Sequence, residues 1–154
     1  MKKKHSIFPH LFILAAITSF LFSCGTTKES LSISSDEEQA FKQVQGDTIT
    51  ISSDETEYEI IIIEPGFNTW LSSIAKPEGY YSQNFLENRN YIMVTEWNNR
   101  VMQPSRFDPN LYELRIDYSN QIDYGYDVNY KLYNYFIYFQ RKYNQRLGPF
   151  IPRI

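Results

Sequence analysis

VNYKLYNYFIYFQRKYNQR, residues 128–146, is the most aromatic segment of the chain and has helical periodicity. At 100° per residue Val128, Leu132, Tyr135, Phe136, Phe139 and Tyr143 line one helical face, and Tyr130, Tyr133 and Ile137 widen it. Lys131, Asn134, Arg141, Lys142 and Gln145 make the polar arc. An apolar arc this wide predicts a helix in contact with more than one neighbouring element. Gly148 and Pro149 supply the stop signal.

Before it, Tyr112, Leu114, Ile116 and Tyr118 alternate with Glu113, Arg115 and Asp117, which predicts a half-buried strand. Ser82 reads as the N-cap of a second long helix reaching about Met102. Leu86, Met93, Val94, Trp97 and Val101 share its apolar arc, and Phe85 and Ile92 a smaller one. Glu96 and Arg100 fall on its polar side, a pairing that stabilises an exposed helix by only a few tenths of a kcal/mol. Phe67, Trp70, Leu71 and Ile74 share a face of a short helix that ends by Lys76–Gly79. Thr48–Ile51 and Tyr58–Ile63 are β-branched runs joined by turn chemistry at Ser52–Glu55, so a hairpin is expected, its four isoleucines covered on both faces. The expected class is α+β: a small sheet of about three strands packed against two long helices and one short helix.

The beginning of the chain has a different composition. Lys2, Lys3 and Lys4 precede an apolar run from Ile7 to Phe22, the order of an export signal. The run has nearly the length of a membrane span, but Pro9 and His10 break its first half. At its end Leu21, Phe22, Ser23 and Cys24 resemble the lipobox of bacterial lipoproteins, although Phe22 is bulkier than the usual residue at that place. That resemblance implies that Cys24 becomes the first mature residue and carries acyl chains. The expected division is a signal peptide over 1–23, a lipidated cysteine and flexible linker over 24–46, and a single α+β domain over 47–154. The linker is rich in Ser, Thr, Glu, Gln and Lys, and its roughly 22 residues would reach about 25 Å. Within it Ser35, followed by Asp36, Glu37 and Glu38, reads as the cap of a short helix bearing Ala40, Phe41 and Val44.

Cleavage at Cys24 would remove both histidines, His5 and His10, and commit the sole cysteine to lipid. The mature domain then has no imidazole and no free thiol, which excludes Cys/His zinc sites, Ser-His-Asp triads and structural disulfides. Three of the 15 basic residues leave with the leader, so 12 face 18 acidic ones and the net charge moves from −3 to −6. A chain of that charge is not expected to bind nucleic acid. The acid is concentrated between Glu29 and Glu64, where Lys42 is the one basic residue. Such an acidic front is expected to keep a tether and one strand solvated, the sharper alternative being a cation-sensitive or partner-facing surface.

Three groups of residues bear on chemistry. Asp117, Ser119, Gln121 and Asp123 alternate oxygen ligands as a calcium loop does, but Ile122 and Val128 stand where glycine and glutamate are required, so a polar turn is expected instead of a metal site. Glu96, Asp117, Asp123 and Asp127 are the carboxylates placed near element ends, where a glycan hydrolase would carry its acid and base. Nothing in the sequence pairs them, and no catalytic residue, cofactor or metal is assigned. Tyr80, Tyr81, Tyr118, Tyr124, Tyr126 and Tyr130, with Trp70 and Trp97, are candidates for a stacking surface. Tyr124 and Tyr126, flanking Gly125 in a predicted loop, are expected to be its exposed members.

The stretches Pro65–Leu71, Glu96–Val101 and Asp127–Tyr135 together resemble a family of short, uncharacterised lipoproteins of Bacteroidetes. That resemblance implies a location and no particular activity. Gly25 after Cys24 lacks the aspartate that holds diderm lipoproteins at the inner membrane, which implies the outer membrane. The expectation is a lipid-anchored envelope protein acting as a non-enzymatic interaction or structural module toward envelope proteins or glycan. The alternative is a carboxylate-dependent hydrolase of envelope glycans.

Overall fold

The computed structural model describes residues 31–43, 48–53 and 56–154, with side chains for 31–43 and 64–154. The leader, Cys24, residues 25–30 and 44–46 of the expected linker, and the facing of the isoleucine run lie outside what is described. The unit formed is Ser32–Ile154. In chain order its elements are α1 (Ser35–Phe41), β1 (Thr48–Ser53), β2 (Thr56–Ile63), α2 (Phe67–Ser73), α3 (Gln83–Val101) and α4 (Gly125–Lys142).

The fold is mostly helical, which overturns the expected α+β class. Among the described residues the only paired strands are β1 and β2, an antiparallel ladder running from Thr48↔Ile63 to Ser53↔Thr56, with β1 beside α4. The third strand, expected over Tyr112–Tyr118, does not form. Trp97 Nε1 on α3 donates to Leu114 O at 2.8 Å. Asn98 brackets Ile116, accepting its N–H at 2.9 Å and donating to its C=O at 2.8 Å. Side chains of a helix thus occupy the backbone groups that a neighbouring strand would have paired. The alternation is also broken in burial, because Leu114 is 77% exposed while Tyr112 is 3%.

The core is the seam between α3 and α4. Leu86, Met93, Val94 and Trp97 on α3 and Val128, Leu132, Phe136 and Phe139 on α4 are all buried. Full burial of such a side chain contributes about 1.5–3 kcal/mol. Trp97 meets Phe139 edge to face at 4.8 Å and Tyr112 at 5.0 Å, arrangements that suit the ring quadrupoles. α4 starts earlier and ends earlier than its sequence pattern indicates. Of its expected polar arc, Asn134 and Arg141 are buried, Asn134 donating to Tyr130 O at 2.8 Å. Arg100, expected on an exposed face, is buried too. It donates to Glu96 at 2.9 Å, to the Tyr112 hydroxyl at 2.7 Å and to Arg146 O, which ties α3 to the segment after α4.

α1 is capped by Ser34, one residue before the expected Ser35. Ser34 Oγ accepts from Glu37 N, and Glu37 returns a bond to Ser34 N, completing a capping box. The helix lies in the same unit as α2–α4, with Glu37 wholly buried against Arg141 and Trp70. At the start of α2, Gly66 has φ +84°, and a Cβ there would fall 1.9 Å from Ala40 O of α1. Only glycine permits both that backbone and that approach. After α4 the chain turns at Asn144 and Gly148 and runs back along α3 and α4, held where Leu147 N donates to Gln140 Oε1 at 2.6 Å.

Candidate functional site

The first turns of α3 and the loop before α4 enclose a polar cleft of about 490 Å³. Ser82 fixes the start of α3 by accepting from Phe85 N at 3.3 Å. From there the helical period brings Gln83, Asn84, Glu87, Asn88 and Tyr91 to the cleft. The opposite wall is Tyr118, Asn120, Gln121, Ile122 and Asp123. Its conformation is set by short-range bonds, Gln121 N to Ser119 Oγ at 3.2 Å and Gly125 N to Asp123 Oδ1 at 2.9 Å.

Gln83 joins the walls. Its Nε2 donates at 2.8 Å to Glu87 Oε1 and at 2.8 Å to Asp123 Oδ1, so the two carboxylates face one another across a single amide. Asn84 and Asn88 pair at 2.7 Å. Tyr118 stacks on Tyr124 with centroids 4.9 Å apart, and its hydroxyl donates to Asn129 Oδ1 at 2.7 Å. Burial, then the Glu87 charge, push the Tyr118 hydroxyl far above the usual phenol range, so it stays protonated. Asn129 also receives Asn90 Nδ2 at 3.1 Å, and Asn90 Oδ1 has no partner among the described residues. Tyr91 (47%) and Ile122 (39%) are the large apolar side chains exposed at this cleft.

The expected binding pair is placed differently. Tyr124 is 2% exposed and so does not form an exposed surface: its ring backs Tyr118, and its hydroxyl accepts from Ser119 N at 3.0 Å. Tyr126 is half-buried on α4, which begins at Gly125 where a loop was expected. It stacks on Tyr130, and its hydroxyl accepts from Gly79 N at 2.6 Å. Trp70 and Trp97 are core, and Tyr130 donates to Lys76 O at 2.8 Å. Tyr81 stacks on Phe85, leaving Tyr80, at 60%, as the exposed ring of the set.

The carboxylates separate in the same way. Glu96 is bound to Arg100 and Asp127 to Lys131 at 2.6 Å, while Asp123 reaches the cleft. Of the run Asp117, Ser119, Gln121 and Asp123, Ser119 Oγ accepts from Gln121 N and Asp123 Oδ1 from Gly125 N, the bonds of a polar turn. Among the described residues no three His, Cys, Asp or Glu side chains are grouped to hold a metal ion. Glu87 and Tyr91 are cleft residues that sequence reasoning missed. The available signal was the exposed stripe Asn84, Asn88, Tyr91 and Thr95, an aromatic ring set among polar residues at helical spacing.

Planar amides and carboxylates around an exposed ring can bind vicinal hydroxyls edge-on and stack on the apolar face of a sugar. The cleft volume falls in the range of small-ligand sites, about 300–1,000 Å³. No curated protein and no solved structure matches this chain. A family model does, over residues 11–150, and the chain belongs to that family, a family of unknown function, DUF6146.

Proposed function

We propose that this protein is a lipid-anchored protein of the cell envelope that binds glycan without turning it over. The single observation that carries the binding role is the cleft between α3 and the 118–123 loop, with its amide-rich walls and exposed Tyr91. The anchor is supported by the sequence alone, by the lipobox-like Leu21–Cys24 behind a basic and then apolar leader. Gly25 favours the outer membrane as the destination. Confinement to a membrane surface would raise the effective concentration of a weak binder toward envelope glycan or envelope proteins. Among the described residues no helix is long and apolar enough to cross a membrane.

One observation favours a second reading, hydrolysis. Glu87 and Asp123 each lie 2.8 Å from one nitrogen of Gln83, and retaining glycosidases hold their two carboxyl groups about 5–5.5 Å apart. Binding is the better reading because both carboxylates already accept hydrogen bonds from Gln83, and the one to Asp123 ties the cleft walls together.

The test uses the full chain in non-ionic detergent, mixed with purified envelope glycan. Sedimentation measures retention and a reducing-end assay measures cleavage. Retention without new reducing ends is expected. Cleavage abolished by Asp123→Asn would establish the hydrolase, and neither retention nor cleavage would refute both. For the anchor, radiolabelled palmitate should enter the wild-type protein and not Cys24→Ala.

A further inference from the structure

A second cavity, separate from the polar cleft, lies where the C-terminal segment crosses the middle of α3 and α4. Its volume is about 180 Å³, and Met93, Ile137, Phe150 and Ile151 are among its mostly apolar lining. Arg89 of α3 enters this wall between two rings, its guanidinium carbon 5.0 Å from the centroid of Phe85 and 3.3 Å from that of Phe150. The rings hold the cation but cannot accept its hydrogen bonds along the N–H directions. Arg89 Nη1 is buried and has no hydrogen-bond partner among the described residues.

That is an unusual state for a guanidinium. A buried donor without a partner costs free energy, and more so when it is charged. Nothing else in the lining relieves it. The Gln140 amide is engaged at both ends, donating to Phe136 O at 3.0 Å and accepting from Leu147 N at 2.6 Å. No carboxylate is among the described lining residues, whereas a second arginine, Arg153, is.

We propose that this cavity is a binding site for a small monocarboxylate with an aromatic or short alkyl body, whose carboxylate pairs with Arg89. The charge and the open donor select an anion, and arginine matches a carboxylate in geometry. The lining selects an apolar body. Size selects a small one, since an apolar cavity of about 150 Å³ holds benzene.

Benzoate and benzyl alcohol share a ring and differ in charge, so they are the probes, titrated calorimetrically into the full chain in non-ionic detergent with detergent-only blanks. Benzoate is expected to bind saturably, and benzyl alcohol about tenfold or more weakly, the cost of losing a charge-assisted hydrogen bond. Arg89→Met should abolish the preference for benzoate, and Arg89→Lys should retain part of it. Ile151→Trp, which fills the cavity from the C-terminal segment, should remove binding of both while the far-ultraviolet circular dichroism and the thermal unfolding transition stay close to wild type. The proposal is overturned by the absence of saturable benzoate binding or by equal binding of the two probes. It is equally overturned if the preference survives in a folded Arg89→Met or if Ile151→Trp binds as wild type does. Should Arg89→Met lose its fold, Ile151→Trp and the two-probe comparison decide.

Discussion

Arg141 and Glu37, 104 residues apart in sequence, form a two-pronged ion pair inside the protein: Nε lies 2.5 Å from Oε1 and Nη2 lies 2.6 Å from Oε2. The carboxylate also accepts Trp70 Nε1 at 3.2 Å and Ser34 N at 3.1 Å. The guanidinium donates further to Ser32 O at 2.8 Å and to Pro152 O at 2.9 Å. One pair therefore fastens the segment around α1, helices α2 and α4, and the C-terminal tail.

Because both partners are buried, removing one leaves the other charged and unpaired. Glu37→Leu and Arg141→Met should each cost about 3–5 kcal/mol in denaturant unfolding of the full chain. The double substitution Glu37→Leu/Arg141→Met should recover much of that loss, since an apolar pair of similar volume avoids the desolvation of two ions. Additive losses in the double variant would contradict the pairing.

The same pair fixes an acid response. Burial pushes the Glu37 carboxyl up, but hydrogen bonds from Arg141, Ser34 and Trp70 and the Arg141 charge outweigh it and hold it below the ordinary 4.5. With the folded value below the unfolded one, the stabilisation is present above about pH 4.5 and is lost as pH falls through the folded value. Wild type should lose stability in that acid window, and Glu37→Gln should show a smaller loss there.

At the alkaline end the tyrosines dominate. Burial first, then neighbouring charge, raises Tyr133, Tyr135, Tyr138 and Tyr143 well above the usual phenol value of 10.0. Folded values above unfolded ones mean stability that is whole below pH 10 and lost as pH rises beyond it. Tyrosinate absorbance from these rings should therefore appear together with loss of helical circular dichroism. Ionisation of all tyrosines near pH 10 with the helices intact would contradict their burial.

Gly66 and Gly79 separate two costs. Both have positive φ, +84° and +83°, but a Cβ at Gly66 meets Ala40 O at 1.9 Å whereas one at Gly79 meets nothing within 4 Å. Gly79→Ala should cost about 1–2 kcal/mol of backbone strain, and Gly66→Ala distinctly more because α1 must also move. Equal thermal shifts would argue against the contact between α1 and the start of α2.

The two long helices were legible because their signals are local. Ser82 caps α3 and Met102 closes it, as the pattern from Ser82 to Met102 indicates. The repeat through Val128, Leu132, Phe136 and Phe139 likewise marks the buried face of α4. What the sequence hid were long-range partners. Arg141, Asn134 and Arg100 read as solvent-facing by type, yet each is buried because it has hydrogen-bond partners inside. The run Tyr112–Tyr118 alternates like a strand, but Trp97 and Asn98 satisfy its backbone from a helix, which no periodicity reveals. For the site, Asp123 and Tyr118 were among the candidates and do reach the cleft. Glu87 and Tyr91 join them only through the docking of α3 against the 118–123 loop, and Tyr124 serves from beneath.

Glycan binding at the cleft is measured by a binding isotherm of the full chain on purified envelope glycan, wild type against Tyr91→Ala. Tyr91 is 47% exposed and lies away from the core, so the fold should be untouched. Affinity should fall about tenfold, on the order of 1.4 kcal/mol, with unchanged circular dichroism. An isotherm in Tyr91→Ala identical to that of wild type would contradict glycan binding at the cleft.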